Sequence, residues 1–177
     1  MRLQKSLFLI VILCIWAFTA QGEPIPSTGN IEVFFSPRGG ATEGIVREIT
    51  AARQEVLIQA YSFTSKPIAK ALLDARRRGV VIEAVLDKSN ATAKYSAATF
   101  LANAGIPVFI DDKHAIAHNK VIIIDRSTLI TGSFNFTTAA ETKNAENMLV
   151  VKGNQILTNK YILNYKEHKG HSLPYGK

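Results

Sequence analysis

The sequence predicts a single α/β domain built on a mixed, largely parallel β-sheet flanked by helices. Three observations carry that prediction. Short apolar runs alternate with segments whose apolar residues recur at helical spacing, the pattern of βαβ units. Several runs, Val121-Ile122-Ile123-Ile124 above all, are apolar throughout, as in strands covered on both faces. Neither an internal repeat nor a linker divides the chain after Asn30.

In order, Ile31–Phe35 reads as a strand, ended by Ser36-Pro37-Arg38-Gly39-Gly40. Residues 43–53 carry Ile45, Ile49 and Ala52 at helical spacing. Residues 55–61 are rich in Val, Leu and Ile and form a strand. Pro67 and Gly79 bracket a helix with Ile68, Ala71, Leu72 and Ala75 on one face. A strand at 80–86, a helix at 93–103 closed by Gly105, and a short strand at 107–110 follow. Strands at 121–124 and 128–131 flank the turn Asp125-Arg126-Ser127. A short helix at 137–142, a strand at 147–151 and a last helix at 154–168 complete the domain.

Composition limits the function classes. The 177 residues are 47% hydrophobic and 20% charged, which excludes a disordered tail, a fibrous repeat and a multi-span membrane protein. The formal net charge of +7 points to an anionic partner: nucleic acid, an anionic lipid surface or a phosphorylated substrate. Cys14 is the only cysteine, so intramolecular disulfides and Cys-rich zinc modules are excluded.

The N-terminus reads as a secretory signal. Arg2 and Lys5 precede the apolar run 7–17, and Ala20-Gln21-Gly22 supplies small residues for cleavage. The run is too short for a comfortable membrane span, although an uncleaved anchor is the alternative reading. Removal of residues 1–22 takes Cys14 with it and leaves a thiol-free chain suited to an oxidising compartment, periplasmic or extracellular. Residues 23–30 are then a flexible lead-in and 31–177 one catalytic domain.

The chemistry concentrates between His118 and Glu146. His118-Asn119-Lys120 is followed by four apolar residues, Asp125, six more residues, and Gly132-Ser133-Phe134-Asn135. Residues two apart on a strand share a face, so His118 projects with Lys120 and Ser133 with Asn135. An antiparallel return brings all four to one end of a buried sheet. Those side chains suit attack on a phosphodiester. An imidazole serves as nucleophile or general acid at neutral pH, and the ammonium and polar groups hold the non-bridging oxygens. Gly132 is expected to let a phosphate approach the backbone. Glu146 is the candidate carboxylate for the far nitrogen of His118. Asp125, roughly 13 Å along the strand from Lys120, is too distant for catalysis and is expected to tie down the turn. A lone H-x-K would be a solvated strand edge; six fixed positions together are not.

The pattern H-x-K-x4-D-x6-G-S-x-N resembles the signature of the phospholipase D superfamily, and with one copy, a signal and this length the chain resembles its small secreted bacterial endonucleases. The resemblance implies a phospholipase D-like α/β/α sandwich and a metal-independent phosphodiesterase working through a phosphohistidine. On it, His118, Lys120, Ser133 and Asn135 match active-site positions, Glu146 the histidine-orienting acid, and Asp125 a structural aspartate. The expected enzyme is a sequence-independent endonuclease on DNA, RNA being left open, without cofactor or metal. The superfamily's larger members resemble two such halves in one chain, and only His118 here is followed by Lys two positions on, so a homodimer sharing one site is expected. The rival is a lipid phosphodiesterase or phosphatidyltransferase using the same residues, against which no amphipathic membrane-binding helix is seen. A nucleic-acid-binding module with a dead site is disfavoured because every catalytic residue type is present.

Other polar features are expected to do less. Asp111-Asp112-Lys113-His114 reads as a solvated loop rather than a metal site, and His168 and His171 as part of an exposed Lys- and Gly-rich tail. Arg76-Arg77-Arg78 suits either a phosphate grip or a helix C-terminus. Tyr61-Ser62-Phe63 either lines the site or belongs to the core.

Overall fold

The computed structural model describes residues 22–93 and 96–176. The proposed signal therefore lies outside the described residues, save Gly22. The strands are β1 (Asn30–Ser36), β2 (Glu55–Ala60), β3 (Val81–Asp87), β4 (Val108–Asp111), β5 (Lys120–Ile124), β6 (Thr128–Gly132), β7 (Glu146–Lys152) and β8 (Leu173–Pro174). The helices are α1 (Ala41–Ala51), α2 (Lys66–Arg77), α3 (Ser89–Thr92), α4 (Ala97–Asn103), α5 (Thr138–Thr142) and α6 (Gln155–His171).

All eight strands join one sheet in the order β1-β7-β6-β5-β2-β3-β4-β8. Strand parity divides the core into two layers. Val56 and Ile58 of β2 and Ile122 and Ile124 of β5 face α1, α2 and α4, meeting Ile45, Ile49, Ile68, Leu72 and Leu101. Leu57, Val121 and Ile123 face the other way, with Val85, Leu129 and Val151, and are covered by Ile162 and Tyr165 of α6. The α/β/α sandwich expected from the sequence is therefore present.

The balance of strand directions differs from expectation. Only β2–β3 and β3–β4 pair in parallel; β2–β5, β5–β6, β6–β7, β1–β7 and β4–β8 are antiparallel. Strand–helix alternation holds through β4, but β1 leaves for the far edge, and β5, β6 and β7 run as a meander. Alternation alone does not reveal that change. α6 also extends to His171, three residues past the expected end, and the short strand β8 behind it was not anticipated.

The β5–β6 hairpin turns at Asp125 and Arg126, both left-handed with φ of 49° and 56°. Asp and Asn tolerate this conformation better than most residues, as primed hairpin turns require. The Asp125 carboxylate accepts hydrogen bonds from the backbone N–H of Arg53, Gln54 and Glu55 at 2.8, 2.7 and 3.0 Å. The N–H of Asp125 returns one to the Glu55 carbonyl at 3.0 Å. The hairpin is thus fastened to the α1–β2 turn, at the end of the sheet remote from Lys120.

Arg76–Arg78 lie where α2 leads into β3, also at that remote end. Arg78 donates to the carbonyls of Ile49 and Thr50 at the end of α1, and Arg77 pairs with Asp74. Their role here is that of helix-terminal cations.

Replacing Asp125 with Ala is expected to lower unfolding free energy by about 1–3 kcal/mol, because the Glu55 amide is partly buried and loses its acceptor. Urea unfolding followed by circular dichroism measures this. An unchanged midpoint in a protein that has lost activity would assign Asp125 to the chemistry instead.

Candidate active site

Five strands deliver side chains to one end of the sheet. β2 ends just before Tyr61, β5 opens with Lys120, β6 ends just before Ser133, β7 opens with Glu146 and β1 ends at Ser36. This is the carboxyl end of the parallel strands β2 and β3, where open α/β sheets place ligands.

His118 lies in the segment entering β5 and is exposed. The N–H of Ala117, one residue earlier, donates to Asp87 Oδ2 at 2.8 Å, and Asp87 Oδ1 accepts from the Ser89 N–H and hydroxyl at 2.9 and 2.6 Å. Burial pushes the Asp87 carboxyl up, but the bonds from Ser89 and Ala117 outweigh it and hold the group below its ordinary range. The Tyr61 N–H donates to the Asn119 carbonyl at 2.8 Å, so both sides of the histidine are pinned. The Tyr61 ring packs against His118 at 4.6 Å between centroids, tilted by 54°. Asn90 donates to the Tyr61 carbonyl at 2.6 Å.

Lys120 is buried. Its Nζ donates to the His118 carbonyl at 2.8 Å and stands 5.1 Å from the centre of the Tyr61 ring. Burial pulls its pKa below the ordinary lysine value, opposed in part by the Glu146 carboxylate. Asn135, half-buried, has a side-chain oxygen with neither solvent nor a hydrogen-bond partner among the described residues.

Within one chain Glu146 engages Ser133: the Ser133 hydroxyl donates to Glu146 Oε2 at 2.7 Å, and Asn144 Nδ2 to Oε1 at 3.1 Å, with no bond to His118 among the described residues. Ser133 is fixed further by the Asn147 N–H, 3.0 Å from its hydroxyl. The β6–β7 pairing sets Gly132 opposite Met148, which brings Ser133 beside the start of β7 and makes it the nearer partner. Gly132 serves strand packing rather than phosphate access. A Cβ built there would stand 2.3 Å from the Asn147 carbonyl oxygen and 2.9 Å from Met148 Cα, so only glycine permits this approach of β6 to β7.

The structure therefore brings together His118, Lys120, Ser133, Asn135 and Glu146 and leaves Asp125 at the opposite end. It adds Tyr61, which sequence reading left undecided, while Phe63 is fully buried core. Asp87 and Asn90 were missed; their place just past a parallel strand's carboxyl end was the available signal.

The solvated reading of the loop after β4 and of the C-terminal histidines is also corrected. Asp111 is fully buried, and His114, His168 and His171 gather around it. Asp112 and Lys113, exposed beside them, disguise the cluster in the sequence.

Comparison with known proteins places this arrangement. A family model described as "Cardiolipin synthase, PLD-like domain" matches residues 45–167. The chain belongs to the phospholipase D-like family. Among curated relatives of the family, phospholipase D of Rickettsia typhi is 42% identical over 146 residues, spanning 82% of this chain and 71% of that protein. Human mitochondrial cardiolipin hydrolase is 32% identical over 120 residues, 67% of this chain and 48% of that one. Among solved structures, the phospholipase D family member Nuc from Salmonella typhimurium superposes with a TM-score of 0.80 at 38% identity, covering 85% of this chain and all of that one. NucT from Helicobacter pylori shares the fold, with a TM-score of 0.77 at 24% identity. As a phospholipase D-like protein, the chain is a phosphodiesterase of the hydrolase class.

The buried Lys120 predicts the alkaline side of the pH profile. A phosphate clamp needs the ammonium, so kcat/KM for phosphodiester cleavage should fall as pH rises through a pKa below the ordinary lysine value of about 10.4. Lys120→Arg should move that limb upward or remove it, since guanidinium does not titrate there. A limb unmoved in Lys120→Arg would assign it to another group.

Proposed function

We propose that this chain is a metal-independent endonuclease that cleaves DNA without sequence preference through a phosphohistidine, with one site shared by two copies. This reading is supported by His118, Lys120, Ser133 and Asn135 standing at one end of the sheet in a basic chain, in a fold that matches Nuc along the whole of that protein. An exposed site served by backbone-contacting cations suits a polymer whose phosphates recur regularly.

The chemistry follows from the side chains. An imidazole nitrogen of His118 attacks phosphorus, a nitrogen–phosphorus bond forms, and the bond to the leaving oxygen breaks. That oxygen takes a proton from the histidine of the second copy, positioned for in-line displacement. The same partner imidazole then removes a proton from water, which attacks phosphorus and releases His118. Lys120 and the Asn135 amide N–H hold the non-bridging oxygens, joined by the Ser133 hydroxyl once it turns from Glu146 to the phosphate.

A surface supports the pairing. Ile31, Val33 and Phe35 of β1 are 57, 54 and 65% exposed, and Leu149 of β7 extends the patch. Val33 pairs with Leu149 and Phe35 with Asn147, and the next pair is Ser36 with Glu146. The uncovered apolar stripe thus runs along the strand edge to the site itself, so a second copy seated there would meet the half-site. The proposal includes export directed by residues 1–22 to the periplasm or beyond. Among the described residues no helix is long and apolar enough to cross a membrane.

The second reading, hydrolysis of a phospholipid, is favoured by the names of the relatives in Rickettsia and human. Incubation with plasmid DNA, RNA and phosphatidylcholine or cardiolipin vesicles, each in excess EDTA, separates the two. DNA nicking in EDTA is expected; turnover of lipid alone would overturn the nuclease assignment, and loss of nicking that magnesium restores would overturn its metal-free chemistry.

The shared site is tested by refolding equal amounts of wild-type and His118→Ala chains together. Random pairing with both histidines required leaves about one quarter of wild-type activity, whereas self-sufficient subunits leave about one half. Recovery near one half would rule out the shared site.

A further inference from the structure

A second constellation lies outside the active site. Asp111 ends β4, His114 follows in the loop that leads to His118, and His168 and His171 stand three apart at the end of α6, on one helical face. One ligand atom from each of the four lies within 4.8 Å of the others. His114 Nδ1 is 3.1 Å from Asp111 Oδ2, His168 Nδ1 2.6 Å and His171 Nε2 3.3 Å. The rings surround the carboxylate, with centroids 4.8, 5.2 and 5.4 Å apart.

Hydrogen bonding accounts for two of the three rings. His168 Nδ1 bonds Oδ2 at 2.6 Å, and His114 Nδ1 stands 3.1 Å from both Oδ1 and Oδ2, with the Lys113 N–H on Oδ1. The third ring nitrogen, Nε2 of His171, is close but unaligned: its atom is buried and has no hydrogen-bond partner among the described residues. One protonated imidazole would suffice to neutralise Asp111. Three packed together would repel one another if all were charged, and the unpartnered Nε2 of His171 can offer its lone pair to a cation.

We propose that Asp111, His114, His168 and His171 form a structural site for zinc or a similar divalent transition ion. Three neutral imidazoles and one carboxylate are a complete tetrahedral donor set of the nitrogen- and oxygen-rich kind zinc accepts. Zinc–nitrogen bonds of about 2.0–2.1 Å space tetrahedral ligands by about 3.4 Å, near the nitrogen–oxygen separations already present. With all four positions filled from the chain, no position is open for substrate, so the ion clamps rather than catalyses. It ties the end of α6 to the end of β4 and to the loop that enters His118 four residues later. His114 and His171 remain partly exposed and give the ion a path in.

The test uses the untagged mature protein, stripped by a chelator and dialysed, then titrated with zinc chloride by calorimetry. One zinc per chain, a raised thermal midpoint, and a tetrahedral ligand-field spectrum when cobalt(II) replaces zinc are expected. His118→Ala should keep the full stoichiometry, and His168→Ala/His171→Ala should lose it. A wild-type protein that takes up no stoichiometric zinc would overturn the site. So would an octahedral cobalt spectrum, binding abolished by His118→Ala, or binding retained in the double variant. The wild-type titration does not depend on any variant folding. None of these readouts depends on which phosphodiester the enzyme cleaves, so the proposal stands or falls separately from the nuclease reading.

Discussion

The grip of Asp125 on three backbone amides of the α1–β2 turn is the constraint on which the site depends. It fixes one end of the β5–β6 hairpin against β2, and a hairpin fixed at its turn has its register set along its length. From that register Val121 falls opposite Thr131, so Lys120 and Gly132 reach the other end together. A slip of one residue would send Lys120 to the opposite face and bring Ile123 out of the layer beneath α6. An aspartate far from the chemistry therefore decides where the chemistry sits.

The site itself combines two kinds of support. Lys120 is held inside the fold, on a rigid strand between a carbonyl and an aromatic face, and its burial is electrostatically unfavourable until an anion arrives. A phosphate docked beside it would favour the charged form and offset part of the cost of that burial. His118 is outside, in irregular backbone, where the imidazole proposed to form and break a covalent bond has room. Its segment is nonetheless held from both sides, by Asp87 through Ala117 and by Tyr61 through Asn119. Irregular backbone carries His118, and hydrogen bonds on either side give it the precision a strand would have supplied.

Much of this was legible in the residues, and what was not had specific causes. Continuous apolar runs marked the central strands, and the spacing from His118 to Asn135 marked one end of the sheet, because both depend on local pattern. Strand directions were less legible: alternation of strands with helices suggested a largely parallel sheet, whereas the meander β5–β6–β7 makes antiparallel pairing the majority. Glu146 was read as a partner for His118 because chemistry offered it one, but register gives it Ser133. Asp111 was read as solvated because Asp112 and Lys113 beside it are, and its partners His168 and His171 come from a helix 57 and 60 positions later. No local pattern announces a cluster closed over such a separation.

The two edges of the sheet show why association and the histidine cluster need not interfere. At one edge β4 is covered by β8, a two-residue strand ending in Pro174, which cannot extend the ladder. The histidine cluster lies just past the end of β4, where the chain's own C-terminal helix supplies half the donors. At the other edge β1 presents Ile31, Val33 and Phe35, beyond the reach of α6, which covers only the central part of that face. An apolar stripe of this kind on an edge strand invites a partner, whereas the Pro-ended edge refuses one. Five strands lie between β1 and β4, so a copy docked on β1 would sit away from Asp111 and its histidines. The fold thus closes one edge from within and leaves the other uncovered, next to Ser36 and Glu146 at the end of the sheet that carries the candidate site.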